Sequence, residues 1–157
     1  MYHISLEKLN EDELLFTPRI PQTASPRENK QIPRICLSET FEGCIKAIIH
    51  CHIHPELLRC QNQDKDELFL YVYEPATFLS NEYILDSQKI KEKDYVHDVD
   101  RTHEVWILKP TKMKLYTVLE VTNVKESFDW LHYADFYGED DFPYQLQYQT
   151  LTKENQV

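Results

Sequence analysis

Residues 33–50, PRICLSETFEGCIKAIIH, change period without a pause. RICLS alternates apolar and polar side chains as a strand does. From Phe41 the apolar side chains return at helical spacing, at Phe41, Cys44, Ile45, Ile48 and Ile49. A strand handing directly over to a helix, with Ser38 or Thr40 as the helix cap, commits the chain to mixed structure. It does so almost without glycine. Gly43 and Gly138 are the two in the chain, which excludes a Gly-rich loop cradling phosphates.

The other segments extend this pattern. Residues 2–6 read as a short first strand, and 17–33, with four prolines, as an ordered but irregular loop. ELFLYVYEP (67–75) is a strand of strong β-formers stopped by its proline. EVWILKP (104–110) and KLYTVLEVT (114–122) are two more strands, joined by a turn containing Pro110. NEYILDSQKI fits neither period. The sum predicts a strand-rich α+β domain with one clear helix, from Phe41 to about His50, after the second strand. With 157 residues a single domain, 1–157, is expected, and 123–157 form an acidic aromatic segment packed on or extending from it.

Composition narrows the partners. A net charge of −10 argues against direct nucleic-acid binding, which needs a basic face to displace counterions. No apolar run is long enough to cross a bilayer, and the N-terminus lacks a basic-then-apolar leader. A cytoplasmic protein without membrane contact is the expectation. Cys36, Cys44, Cys51 and Cys60 crowd into one quarter of the chain, and in that compartment free thiols are expected rather than disulfides.

Three polar residues stand at strand ends. His3 lies on the first strand with Tyr2 and Ile4 on the opposite face. Ser38 ends RICLS, which would leave its backbone and hydroxyl available at a strand edge. Glu104 opens EVWILKP after the polar run DVDRTH. A pocket that holds a ribose and polarises its glycosidic bond needs such types: a donor for the sugar and a carboxylate for developing positive charge.

This order resembles the ADP-ribosyltransferase-like fold. TPRIP, IPRICLSETFEGCIKAI, YVYEP and EVWILKPTKMKL are similar to small proteins of bacteria and their phages with that fold, over roughly residues 1–122. The resemblance implies that His3 bonds the NAD ribose and that Ser38, or alternatively Tyr71 or Tyr73, lines the nicotinamide pocket. It implies that Glu104 steadies an oxocarbenium-like transition state. Tyr2, Arg19, Arg34, Tyr71 and Tyr73 become candidates for NAD contacts, with Arg19 and Arg34 placed to clamp a pyrophosphate. Thr102 stands where arginine-modifying members carry a second acid. The implied activity is binding of NAD or an ADP-ribose-type ligand, with transfer of ADP-ribose to a macromolecule; a shell kept for binding alone would carry the same residues.

Each residue also has a plainer reading. Ser38 as a helix cap is worth roughly 1 kcal/mol without any ligand. Glu104 at a strand start would face solvent, and the two arginines would form loop salt bridges. His50, Cys51, His52, His54 and Cys60 are zinc-capable types without a CxxC knuckle. Pro55 should push His54 out of helical geometry, so the histidines are expected at a helix end facing the dipole, followed by a polar loop, and no metal is assigned. Finally, residues 126–152 carry Glu126, Asp129, Asp135, Glu139, Asp140 and Asp141 with no lysine or arginine, among aromatics such as Trp130, Phe136 and Tyr144. Such a segment supports a second expectation: an acidic phage-type inhibitor that imitates nucleic acid to a basic nuclease of a defence system.

Overall fold

Two antiparallel sheets organise the chain. The computed structural model describes residues 1–9, 13–127, 129 and 146–151. In the larger sheet β1 (His3–Ser5), β4 (Phe69–Pro75), β7 (Thr111–Val121) and β2 (Glu13–Phe16) lie in that order, and β8 (Tyr148–Thr150) also pairs with β7. The smaller sheet has the order β3 (Ile35–Ser38), β6 (Glu104–Ile107), β5 (Ile84–Leu85). The α+β class and the strand-rich core are therefore as expected. The short edge strand β2, residues ELLF, went unassigned from sequence because only four residues carry its alternation.

The helix differs from expectation. α1 (Phe41–Ile48) starts where predicted, and Thr40 caps it by accepting the Gly43 N–H at 3.0 Å. The helical path then continues through a π turn (Ile49–Ile53) into α2 (His54–Asn62) rather than ending in a loop. Pro55 opens α2 instead of stopping α1. The His54 N–H bonds back to the Ile49 carbonyl, so the α-type ladder is already broken one residue before a proline that has no N–H to donate. His54 keeps a helical φ of −58° there. Two short helices, α3 (Ser87–Glu92) and α4 (Val99–Thr102), were not foreseen; "one clear helix after the second strand" becomes one long helical stretch after the third.

Strand alternation divides the core. Ile4, Leu70, Val72 and Leu119 turn one face of the larger sheet to Ile45, Ile49, Ile53 and Leu57 of the long helical stretch. Burying each such side chain contributes about 1.5–3 kcal/mol. Tyr73 and Met113, on the opposite face, meet Ile35, Leu37 and Ile107 of the smaller sheet. The outer face of that sheet carries Trp106, which packs with Ile90 of α3 and Val99 of α4. The Pro110 turn between β6 and β7 is thus a crossing from one sheet to the other. No helix among the described residues is long and apolar enough to cross a membrane. The predicted turn YGEDDFPY and the acids Asp135, Glu139, Asp140 and Asp141 fall outside the described residues.

Candidate ligand-binding cleft

Among the described residues one backbone bridge joins the edges of the two sheets, which then part. Tyr2 N–H donates to the Ser38 carbonyl at 2.7 Å, and Ser38 N–H to the Tyr2 carbonyl at 2.9 Å. Beyond this pair β1 continues along β4 while β3 continues along β6. The gap opens into a cleft of about 750 Å³, within the usual size of small-molecule sites. His3, Ser38 and Glu104 all line it, together with Tyr2, Arg19 and Arg34.

His3 stands at the parting. Its Nδ1 lies 3.2 Å from the Cys36 carbonyl, which can only accept, so Nδ1 carries the proton and Nε2 is left as an acceptor. Its ring packs edge-on against Phe16, centroids 5.1 Å apart. Burial above all pushes the His3 pKa down; the Cys36 carbonyl opposes this, and electrostatic repulsion from the Arg19 and His52 side chains adds to it. The imidazole is therefore held neutral.

Ser38 corrects the expectation of a free strand edge. Both of its backbone groups are used by Tyr2, and its hydroxyl donates to the Thr102 carbonyl at 2.6 Å. Thr40, not Ser38, is the helix cap. The approach of α1 to this bond is so close that a Cβ on Gly43 would lie inside both the Ser38 hydroxyl and the Thr102 carbonyl. One of the chain's two glycines is thereby explained.

Glu104 is buried rather than solvent-facing. It reaches its place through His103, whose φ of 50° turns α4 sharply into β6, and it pairs directly with Ser38 across the ladder. Its Oε1 accepts the Trp106 indole N–H at 2.6 Å. Burial raises its pKa; hydrogen bonds from Trp106 and Cys36 oppose this, the Glu28 charge adds to it, and Arg34 lowers it. Burial is the largest of these effects, so the net direction is upward.

Arg34 is a structural cation. Its guanidinium pairs with Glu28, donates to the Asn29 carbonyl at 2.7 Å and the Ile32 carbonyl at 3.1 Å, and lies over the Trp106 ring at 3.9 Å. It ties down the proline-rich loop instead of offering a fork to a ligand, and only its buried Nε lacks a partner. Arg19, bridged to Arg34 through backbone alone, leaves an exposed side chain at the cleft. Tyr71 and Tyr73 lie outside the lining; the Tyr73 hydroxyl accepts the Leu9 N–H at 3.1 Å. Of Ser38, Tyr71 and Tyr73, only Ser38 lines the cleft.

Sequence reasoning missed Cys36 and His52. Cys36 shares the Ser38 face by strand alternation, and that signal was available. Burial drives its thiol pKa up strongly and raises that of Cys44 to about 12, so neither is a thiolate nucleophile at neutral pH. His52 and Cys51 enter the lining through the π turn, which had no sequence signal. Of the zinc-capable types, Cys60 is buried in the core instead, and the described residues contain no cluster of three or more metal-ligand side chains. Compared with family models, with curated proteins and with solved structures, the chain matches none.

Proposed function

We propose that this chain binds NAD or an ADP-ribose-type ligand in the cleft between its sheets. One observation carries the reading: three strand-end side chains separated by most of the sequence, His3, Ser38 and Glu104, line the same nucleotide-sized hollow. In this reading the His3 Nε2 accepts a ribose hydroxyl, the Tyr2–Ser38 bridge forms the floor, and Glu104 faces the glycosidic bond. The raised pKa of Glu104 bears on chemistry, because its ionised form is the one that supports an oxocarbenium-like centre. A cationic nicotinamide ring beside it would favour ionisation, so transfer of ADP-ribose to a macromolecule is the second step of this proposal and binding the first.

Isothermal calorimetry with NAD and ADP-ribose tests the reading. Both should bind, and His3→Ala should weaken them about tenfold, the value of one hydrogen bond of ordinary strength. Absence of heat with either ligand at millimolar concentration ends the proposal. The acidic-inhibitor alternative depends on residues 126–152, most of which lie outside the described residues.

A further inference from the structure

The polar groups around the cleft are unevenly matched. Its acids are engaged: Glu28 holds Arg34 and accepts the Ser25 N–H, Asp98 lies 3.8 Å from Arg101, and Glu104 accepts from Trp106. Its bases are not. Arg19 and His52 make no ion pair with any carboxylate of the described residues, although the chain carries 27 acids against 17 lysines and arginines. In so acidic a protein, two basic side chains lining one hollow without an acidic partner leave a local site for an outside anion.

The π turn builds this end of the cleft. A helix advances about 100° per residue, so the one-residue widening at Ile49–Ile53 rotates the succeeding residues relative to an unbroken α-helix. His52, within this turn, lines the same hollow as Arg19 and His3, which come from the proline-rich loop and from β1. Arg19 supplies a fork of N–H groups matched to two oxygens, and a neutral or charged imidazole adds a further donor. We propose that Arg19 and His52, with His3 behind them, form a subsite for a phosphoryl anion at one end of the cleft. The identity of the remainder of the ligand rests on the nucleotide reading above; the anion subsite itself does not.

Calorimetric titrations at constant ionic strength with inorganic pyrophosphate, ADP and adenosine test it. ADP should bind at least about tenfold more tightly than adenosine, and pyrophosphate alone should bind and compete with ADP. Arg19→Ala and His52→Ala should each weaken ADP and pyrophosphate about tenfold while leaving adenosine unchanged. Lys30→Ala, at an exposed position outside the lining, should alter none of these. Equal affinity for ADP and adenosine, or pyrophosphate binding indifferent to both variants, overturns the subsite. NAD binding that ignores Arg19 and His52 sinks the subsite and spares the nucleotide reading. Pyrophosphate binding that needs both residues, with no affinity for NAD or ADP-ribose, does the reverse.

Discussion

The β4–β7 and β3–β6 ladders are built from the same antiparallel pairing and held by different physics. Along β4–β7 the buried positions are Leu70, Val72, Tyr73, Met113, Thr117, Val118 and Leu119, all apolar but Thr117, and apolar burial is the main source of stability. Along β3–β6 one face is equally apolar, with Ile35, Leu37, Val105 and Ile107, while the other buries Ser38, Glu104 and Trp106 beside Arg34. Buried polar groups cost free energy unless every partner is present. That face is satisfied almost completely, and it borders the cleft. The difference teaches where to look for function in such a chain: at the strand pair that keeps polar side chains under burial.

The comparison can be broken at its strongest point first. Arg34→Ala should destabilise by about 4 kcal/mol, because it leaves the Glu28 carboxylate without its cation. Adding Glu28→Gln should recover part of the loss in a denaturant titration; equal stabilities of the single and double variants would show that the polar face is not a coupled unit. In the apolar ladder, Leu119→Ala should cost about 3 kcal/mol by cavity formation, at every pH between about 5 and 8.

Gly43→Ala tests the joint between the helix and the polar face. The added methyl must displace either the Ser38 hydroxyl or the Thr102 carbonyl, at about 1–3 kcal/mol, and should weaken ligand binding as well. An unchanged melting temperature would mean that α1 sits farther from the sheet.

The smallest effect is in pH dependence. Burial raises the folded-state pKa of Glu104, so its neutral form contributes stability at acid pH that is lost as pH rises through the folded value. Glu104→Gln should therefore gain stability relative to the parent as pH goes from about 4 towards 8. His3 acts in the opposite sense: its lowered pKa gives a contribution present above about pH 6.5 and lost as the solution is acidified. Parallel stability curves for the parent and the Glu104 variant would show that the carboxyl is solvated.

Much of the fold was legible because it depends on local periodicity. β1, β3, β4, β6, β7 and the start of α1 lie within one or two residues of where apolar spacing and a Ser38 or Thr40 cap put them, apart from the upstream extension of β7 to Thr111 and the end of β6 at Ile107, three residues before Pro110. The errors have local causes too. β2 is four residues long, and Pro55 hid α2 because a proline after one helix can also open the next. The site was half legible. His3 and Glu104 are marked by strand position, but the engagement of Arg34 with Glu28 and the entry of His52 depend on loop and π-turn geometry that leaves no periodic trace.

By itself, then, the sequence determined the strands β1, β3, β4, β6 and β7 and the start of α1, since period and capping act over a few residues. Only the tertiary structure decided that the sheets part after the Tyr2–Ser38 bridge, that Glu104 is buried with its pKa raised, and that Arg19 and His52 line one cleft. Those outcomes depend on contacts between residues tens of positions apart, where burial and neighbouring charge, rather than residue type, set what a side chain can do.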